Sequence, residues 1–382
     1  MNKATDPREL RAAHAVPASQ VDFGRPLVSI LGLPFDAIGV AQAVQRIRTD
    51  AFAGRRCFVS TPNLNFAIAA RRDEAFRGSV LRSDLSLVDG MPLVWIARLL
   101  GLPIRERVAG SDVFEALQAH PGPPIDVYLF GAPPGAAAIA CDRINQRGGG
   151  VRCVGHDSPG FGTVESMSSD ERIARINDSG AQFVVVALGA KKGQAWIEHN
   201  AARLKAPVLA HLGAVVNFAA GSVARAPQWM QHAGLEWLWR IKEEPGLWRR
   251  YSSDGVGVAR LLLTRVLPDM VAQRVAGLAR HAPPQIEIRQ TPGSTALALQ
   301  GAWCEKDLPN LRAALTQCAA REDRLSIDLS GVTEIGSSLV ATLLQASGWF
   351  GSRAGFEVVG CRPATRAMLR RKLVDDVLLA SG

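Results

Sequence analysis

The sequence has no CxxC pair and no Cys/His ligand spacing. Its six cysteines, Cys57, Cys141, Cys153, Cys304, Cys318 and Cys361, are scattered. This argues against a zinc site and reads as buried, reduced thiols in a cytosolic protein. The N-terminus lacks a long apolar core, so no secretory signal is expected. No run approaches the ~18 uninterrupted apolar residues of a spanning helix, so a chain that met a membrane would lie on it. There is no GxGxxG and no Walker loop, and no aromatic–basic RNA-binding signature or long basic run. A D-x-D motif is missing too. Enzymes that clamp a sugar nucleotide through a metal usually carry paired carboxylates. Chemistry of that kind here would rest on Arg, Lys and helix N-termini, with no metal or other cofactor.

What is present is ordinary globular composition: 382 residues, 47% apolar and 21% charged, enough for two or three domains. The net charge is +9. Residues 281–382 hold 11 Lys/Arg and 10 Asp/Glu, so eight of the nine net charges fall in residues 1–280. That asymmetry implies an acidic partner: nucleic acid, anionic lipid or a phosphorylated substrate. Four of the eight tryptophans lie between Trp229 and Trp248, in RAPQWMQHAGLEWLWRIKEEPGLWRRY (225–251). Indoles mixed with Arg225, Arg240, Lys242, Arg249 and Arg250 suit a surface that meets lipid phosphate. An amphipathic helix with core indoles is the alternative, and for Trp237 alone it is the favoured one.

Residues 1–25 are polar and patternless and are expected to be loose. Strand and helix patterns then alternate. RRCFVSTPN reads as a strand, FAIAARRDEAFRGSVLRS as one helix, LSLVDG as a strand and PLVWIARLLG as a helix. IDVYLFGAPPG, VRCVGHD, QFVVVALGAKKG and APVLAHLG repeat the strand-to-glycine-turn pattern. This predicts a doubly wound parallel sheet with ligands beyond the carboxyl ends of its strands. A break follows around 266–290, with 266–284 as the linker, and the proline-bearing RHAPPQIEIRQTPGS ends the helical run LLLTRVLPDMVAQRVAGLAR. A second α/β module occupies about 285–382. Residues 225–265 form an appendage to the first.

Asp89, in VDGMP, sits at a strand end before a helix, where a carboxylate can act as a general base toward a sugar hydroxyl. A cap or turn role is commoner for Asp in a D-G pair. Asp112 reads as the cap of a helix starting near Val113. Arg105 and Arg107 can meet phosphate or simply be solvated. Thr61 and Asn63 in TPNLNF can bind a base or sugar, or stabilise a turn. The turns at Gly131 (FGAPPG) and Gly189 (LGAKKG, with Lys191 and Lys192) can present backbone N–H groups to a diphosphate. His156 beside Asp157 is a candidate acid–base pair or a solvated loop residue.

In this order TPNLNF (61–66), SLVDGMPLVWIARLLG (86–101), RVAGSDVF (107–114), LFGAPPG (129–135), VVVALGAKKGQAWI (184–197) and the 225–251 block resemble the WecG/TagA/CpsF glycosyltransferases (glycosyltransferase family 26). The resemblance covers roughly residues 28–265. It implies transfer of a sugar, with inversion, from a UDP-sugar to a polyprenyl-diphosphate-linked acceptor for cell-surface polysaccharide, at the inner face of the cytoplasmic membrane. By it, Asp89 is the base. Thr61, Asn63, Arg107, Asp112, Gly131, Gly189, Lys192 and Gln194 line the substrate pocket. Arg225, Trp237, Arg240, Arg249 and Arg250 hold the diphosphate or reach the membrane. One motif departs: the family's G-x-P-K-Q-E-x-W is here Gly189-Ala190-Lys191-Lys192-Gly193-Gln194-Ala195-Trp196. The family's glutamine is thought to contact substrate. Either Gln194 substitutes for it from one position along, or donor choice has shifted, or activity is weak.

Residues 285–382 resemble a STAS domain through LSIDLSGVTEIGSSLVATLL. Ser337 and Ser338 match serines of which one is phosphorylated in switching members. The preceding aspartate is Gly336 here, so a module that docks on a protein partner without a switch is at least as well supported. A rival reading is a regulatory protein that senses a sugar nucleotide and signals through this module. Nucleic-acid binding rests on net charge alone and no motif supports it.

Overall fold

A computed structural model describes residues 21–222, 226–227, 230, 239, 260–276, 282–304 and 308–379. Arg225, Trp237, Arg240, Arg249 and Arg250, and with them the reading of the Trp/Arg block, lie outside the described residues.

The first part is built on a six-stranded sheet. Its strands are β3 (Cys57–Ser60), β4 (Leu85–Ser86), β5 (Ile125–Gly131), β6 (Val151–Asp157), β7 (Phe183–Ala187) and β8 (Val208–His211), in the order β4-β3-β8-β7-β5-β6. Every pairing is parallel. Alternate residues of each strand feed opposite faces, as the period of two requires. Val127, Leu129 and Val185 join Ile47 of helix α1 (Val40–Ala53) and Ile144 of helix α6 (Ala136–Arg147). Tyr128, Phe130, Val184 and Val186 join Ile173 of α7 (Asp170–Asp178) and Trp196 of α8 (Ala190–Asn200). Phe130 stacks on Trp196 with centroids 4.1 Å apart. Helices on both faces of a parallel sheet are the Rossmann-like arrangement expected from the sequence.

Several details differ from the sequence reading. The segment read as one helix is two, α2 (Leu64–Ala70) and α3 (Glu74–Leu81). The Asp73 carboxylate accepts from Phe76 N–H and starts the second, a capping signal hidden in a charged run. An antiparallel hairpin, β1 (Leu27–Ile30) and β2 (Leu33–Asp36), precedes the sheet. Residues 21–25 are not loose: Phe23 is fully buried, and Arg25 forms a bidentate pair with Asp36. Residues 266–276 are not linker either. Helix α9 (Leu267–Ala276) follows a π-type turn at Leu262–Val266, and Val266 is buried with the first part's residues. Cys141 and Cys153 are joined in a disulfide, which corrects the expectation of six reduced thiols.

The second part has a four-stranded mixed sheet: β9 (Gln285–Thr291), β10 (Ser294–Trp303), β11 (Arg324–Ile335) and β12 (Phe356–Gly360). Strand β9 pairs antiparallel with β10, and the other pairings are parallel. Helix α10 (Ser337–Gly351) lies against the hairpin and α3 of the first part. Phe23 stacks on Phe350, and a Cβ on Gly348 would stand 2.7 Å from Leu81 O. Phe23 and Leu81 belong to the second part's core, while Leu373 belongs to a first-part cluster. The two parts share buried surface.

Candidate active site

Three of the singled-out motifs meet at the carboxyl edge of the parallel sheet, after β3 and β4. Asp89 N–H donates to Pro62 O at 3.1 Å, and Val108 N–H donates to Val88 O at 2.8 Å, so TPN, VDG and RVAGSD lie side by side. Gly90 has φ +137, a conformation that favours glycine. A Cβ there would lie 3.9 Å from Asn63 Cβ. At Gly110 a Cβ would stand 2.5 Å from Leu212 Cδ2 and 3.4 Å from Thr61 Cγ2. The two glycines let four loops close to contact distance.

Within this cluster Asp89 is half-buried and stands just before Gly90, the N-cap of α4 (Met91–Leu99). Asn63 uses Oδ1 to cap α2, accepting from Phe66 N–H at 3.0 Å, and Thr61 is buried. Helix α5 (Gly110–Gln118) starts at Gly110 with Ala109 as N-cap, so Asp112 is not the cap. Asp112 pairs instead with Arg107 at 2.8 Å, inside the first turn. The guanidinium so held stands at a helix N-terminus, a place that favours an anion.

The other candidates sit further along the same edge. Gly131 ends β5 with φ +107, and a Cβ there would lie 2.6 Å from Ala187 O. Gly189 is the exposed N-cap of α8. The Lys192 ammonium donates to Gly162 O at 2.8 Å, and Lys191 pairs with Asp73 at 2.9 Å. Gln194 meets the carboxyl end of β3. It is 1% exposed and hydrogen-bonded to the Ser60 hydroxyl. On α8, residue 194 faces inward, against the last residue of β3. His156 and Asp157 are not a pair either, because Asp157 binds Arg172 at 2.7 Å. The sequence reading passed over His211, a buried imidazole ending the central strand β8. Its one signal was a lone His before a glycine turn.

In the second part, a Cβ on Gly336 would lie 2.7 Å from Trp303 O, so an aspartate does not fit there. Ser337 is 6% exposed. Its hydroxyl accepts from Ser29 N–H at 2.8 Å and donates to Ser29 O at 2.9 Å. Ser338 is buried as well. Among the described residues no group of three metal-ligating side chains comes together, and no helix is long and apolar enough to cross a membrane.

Comparison with known proteins places these features. The family model described as "Glycosyl transferase WecG/TagA/CpsF family" matches residues 28–270, and "Mlab, STAS domain" matches 286–380. Two similar curated proteins, from Bacillus spizizenii and Bacillus subtilis, are each named N-acetylglucosaminyldiphosphoundecaprenol N-acetyl-beta-D-mannosaminyltransferase. They are 27% and 29% identical over 197 and 196 residues, covering 51% of this chain and 75% of each relative.

Proposed function

Since this chain belongs to the WecG/TagA/CpsF glycosyltransferase family and carries a STAS domain behind it, we propose that it moves a sugar from a UDP-sugar to a polyprenyl-diphosphate-linked acceptor. Transfer inverts the anomeric centre and needs no metal. It serves cell-surface polysaccharide synthesis at the inner face of the cytoplasmic membrane. The observation that carries this reading is the meeting of TPN, VDG and RVAGSD around a half-buried Asp89.

The Asp89 carboxylate takes the proton of the acceptor hydroxyl as that oxygen attacks the anomeric carbon. A new C–O bond forms on the face opposite the nucleotide, and the bond to the UDP oxygen breaks. Charge growing on the departing diphosphate is met by Arg107, which Asp112 orients, and by backbone N–H groups at the Gly131 and Gly189 turns. The arginines of the 225–251 block supply the grip on the lipid-linked diphosphate, and its tryptophans the seat in the headgroup layer.

The test is transfer from a panel of UDP-sugars to a polyprenyl-diphosphate-linked N-acetylglucosamine, with and without EDTA, and with the product's anomeric configuration read by NMR. The proposal expects EDTA-insensitive transfer with inversion. UDP-sugar binding with no transfer to any acceptor would favour the sensor reading. Retention, or abolition by EDTA, would remove the mechanism.

A further inference from the structure

His211 ends β8 in register with Val186 of β7, at the edge where the transferase motifs gather. Its ring lies between two residues without side chains. A Cβ on Gly193 would fall 2.1 Å from His211 Cδ2, and a Cβ on Gly213 would fall 3.4 Å from Nε2. The imidazole therefore fills the space a side chain at 193 would need. Gly193 is also the position where the family motif carries its glutamine. A glutamine there and the histidine here exclude each other.

The polar atoms of the ring are unequally used. Nε2 stands 2.6 Å from Leu188 O, so it carries the hydrogen and donates. That bond fixes the carbonyl immediately before Gly189. Nδ1 is then a bare acceptor, buried and without a hydrogen-bond partner. Burial also holds the imidazole pKa below its ordinary value, so the ring stays neutral and Nδ1 keeps its lone pair. A buried acceptor left unpaired carries its full desolvation penalty. A site that binds an N–H or O–H group recovers that cost only when occupied.

Building on the transferase reading, we propose that His211 is a donor-specificity residue. It replaces the side chain missing at 193, and its Nδ1 accepts a hydrogen bond from an N–H or O–H group of the bound sugar nucleotide.

The experiment compares wild type, His211→Phe, His211→Asn and the pair Gly193→Gln/His211→Gly across a panel of UDP-sugars. Phe keeps the ring volume and removes both nitrogens, whereas Asn keeps an acceptor. For His211→Phe the donor KM should rise about tenfold, with kcat and acceptor KM within about twofold. His211→Asn should regain most of the loss. Gly193→Gln alone should lower Tm sharply, and His211→Gly should restore folding while changing the order of preferred UDP-sugars. Donor KM and donor order within about twofold of wild type in both His211→Phe and the pair would overturn the proposal. A wild type that neither binds nor uses any UDP-sugar is a separate result and removes the transferase reading beneath it.

Discussion

Two turns of this molecule have the same local design and opposite surroundings. Asp89 and Ser337 each follow a β-strand and stand at the start of a helix, beside a glycine. Asp89 remains half-exposed at the sheet's carboxyl edge, among loops that glycines let come into contact. Ser337 is sealed between the two parts, with its hydroxyl closed onto both backbone groups of Ser29. A polar residue at a strand-to-helix turn thus marks chemistry in one module and docking in the other. What decides is the element that covers the turn: here the β1–β2 hairpin covers the second and leaves the first open.

Stripping that cover is the severest way to break the contrast. Phe23→Ala should remove about 3–5 kcal/mol, since the ring is fully buried against Trp349 and Phe350. Calorimetry should show both parts losing stability in one transition. Two separate transitions, with only one shifted, would mean that the shared surface does not couple them. A milder intervention, Ser337→Ala, leaves the Ser29 N–H and C=O unpaired in a buried site and should cost about 1–3 kcal/mol by denaturant titration. Unchanged stability would show that water reaches the interface.

Asp84 sharpens the comparison through pH. It is half-buried beside the same junction near Arg25, Arg46 and Arg56, and desolvation pushes its pKa up to about 6. Its folded pKa exceeds the unfolded value, so the native state binds the proton more tightly and stability falls as pH rises from about 4 to about 6. Relative to wild type, Asp84→Asn should be more stable at pH 8 by on the order of 1–3 kcal/mol, with the gap closing only as pH falls to about 4. A gap independent of pH would contradict the raised value. The smallest effect belongs to the Arg77–Asp376 pair, 2.6 Å apart at the rim of the junction with its carboxylate exposed. Arg77→Ala should cost ~0.2–1 kcal/mol and matter less at high salt. A larger, salt-independent loss would make this pair part of the seal.

Much of the first part was legible because each sheet strand is an apolar run followed by glycine or proline. The hairpin was not, since LVSILGLPFD lacks the alternation of a half-exposed strand: all eight of its strand residues are buried. At the site, VDG, RVAGSD and TPN were readable as motifs, and their meeting point follows from strand order. The inward turn of Gln194 was in principle readable too, because helical spacing puts it on the face of Gly193 and Ile197, both buried. The exclusion between residue 193 and His211 was not, because it joins α8 to β8 through space rather than along the chain. Nor did any local pattern announce that the STAS helix would dock on its own transferase.

The account stands most directly on Asp89, and single-turnover transfer by wild type and Asp89→Asn, with UDP-sugar affinity and Tm measured on the same samples, tests it. The account predicts a rate lowered by roughly 10²–10⁴ with affinity and Tm nearly unchanged. An Asn variant that transfers at the wild-type rate would contradict it.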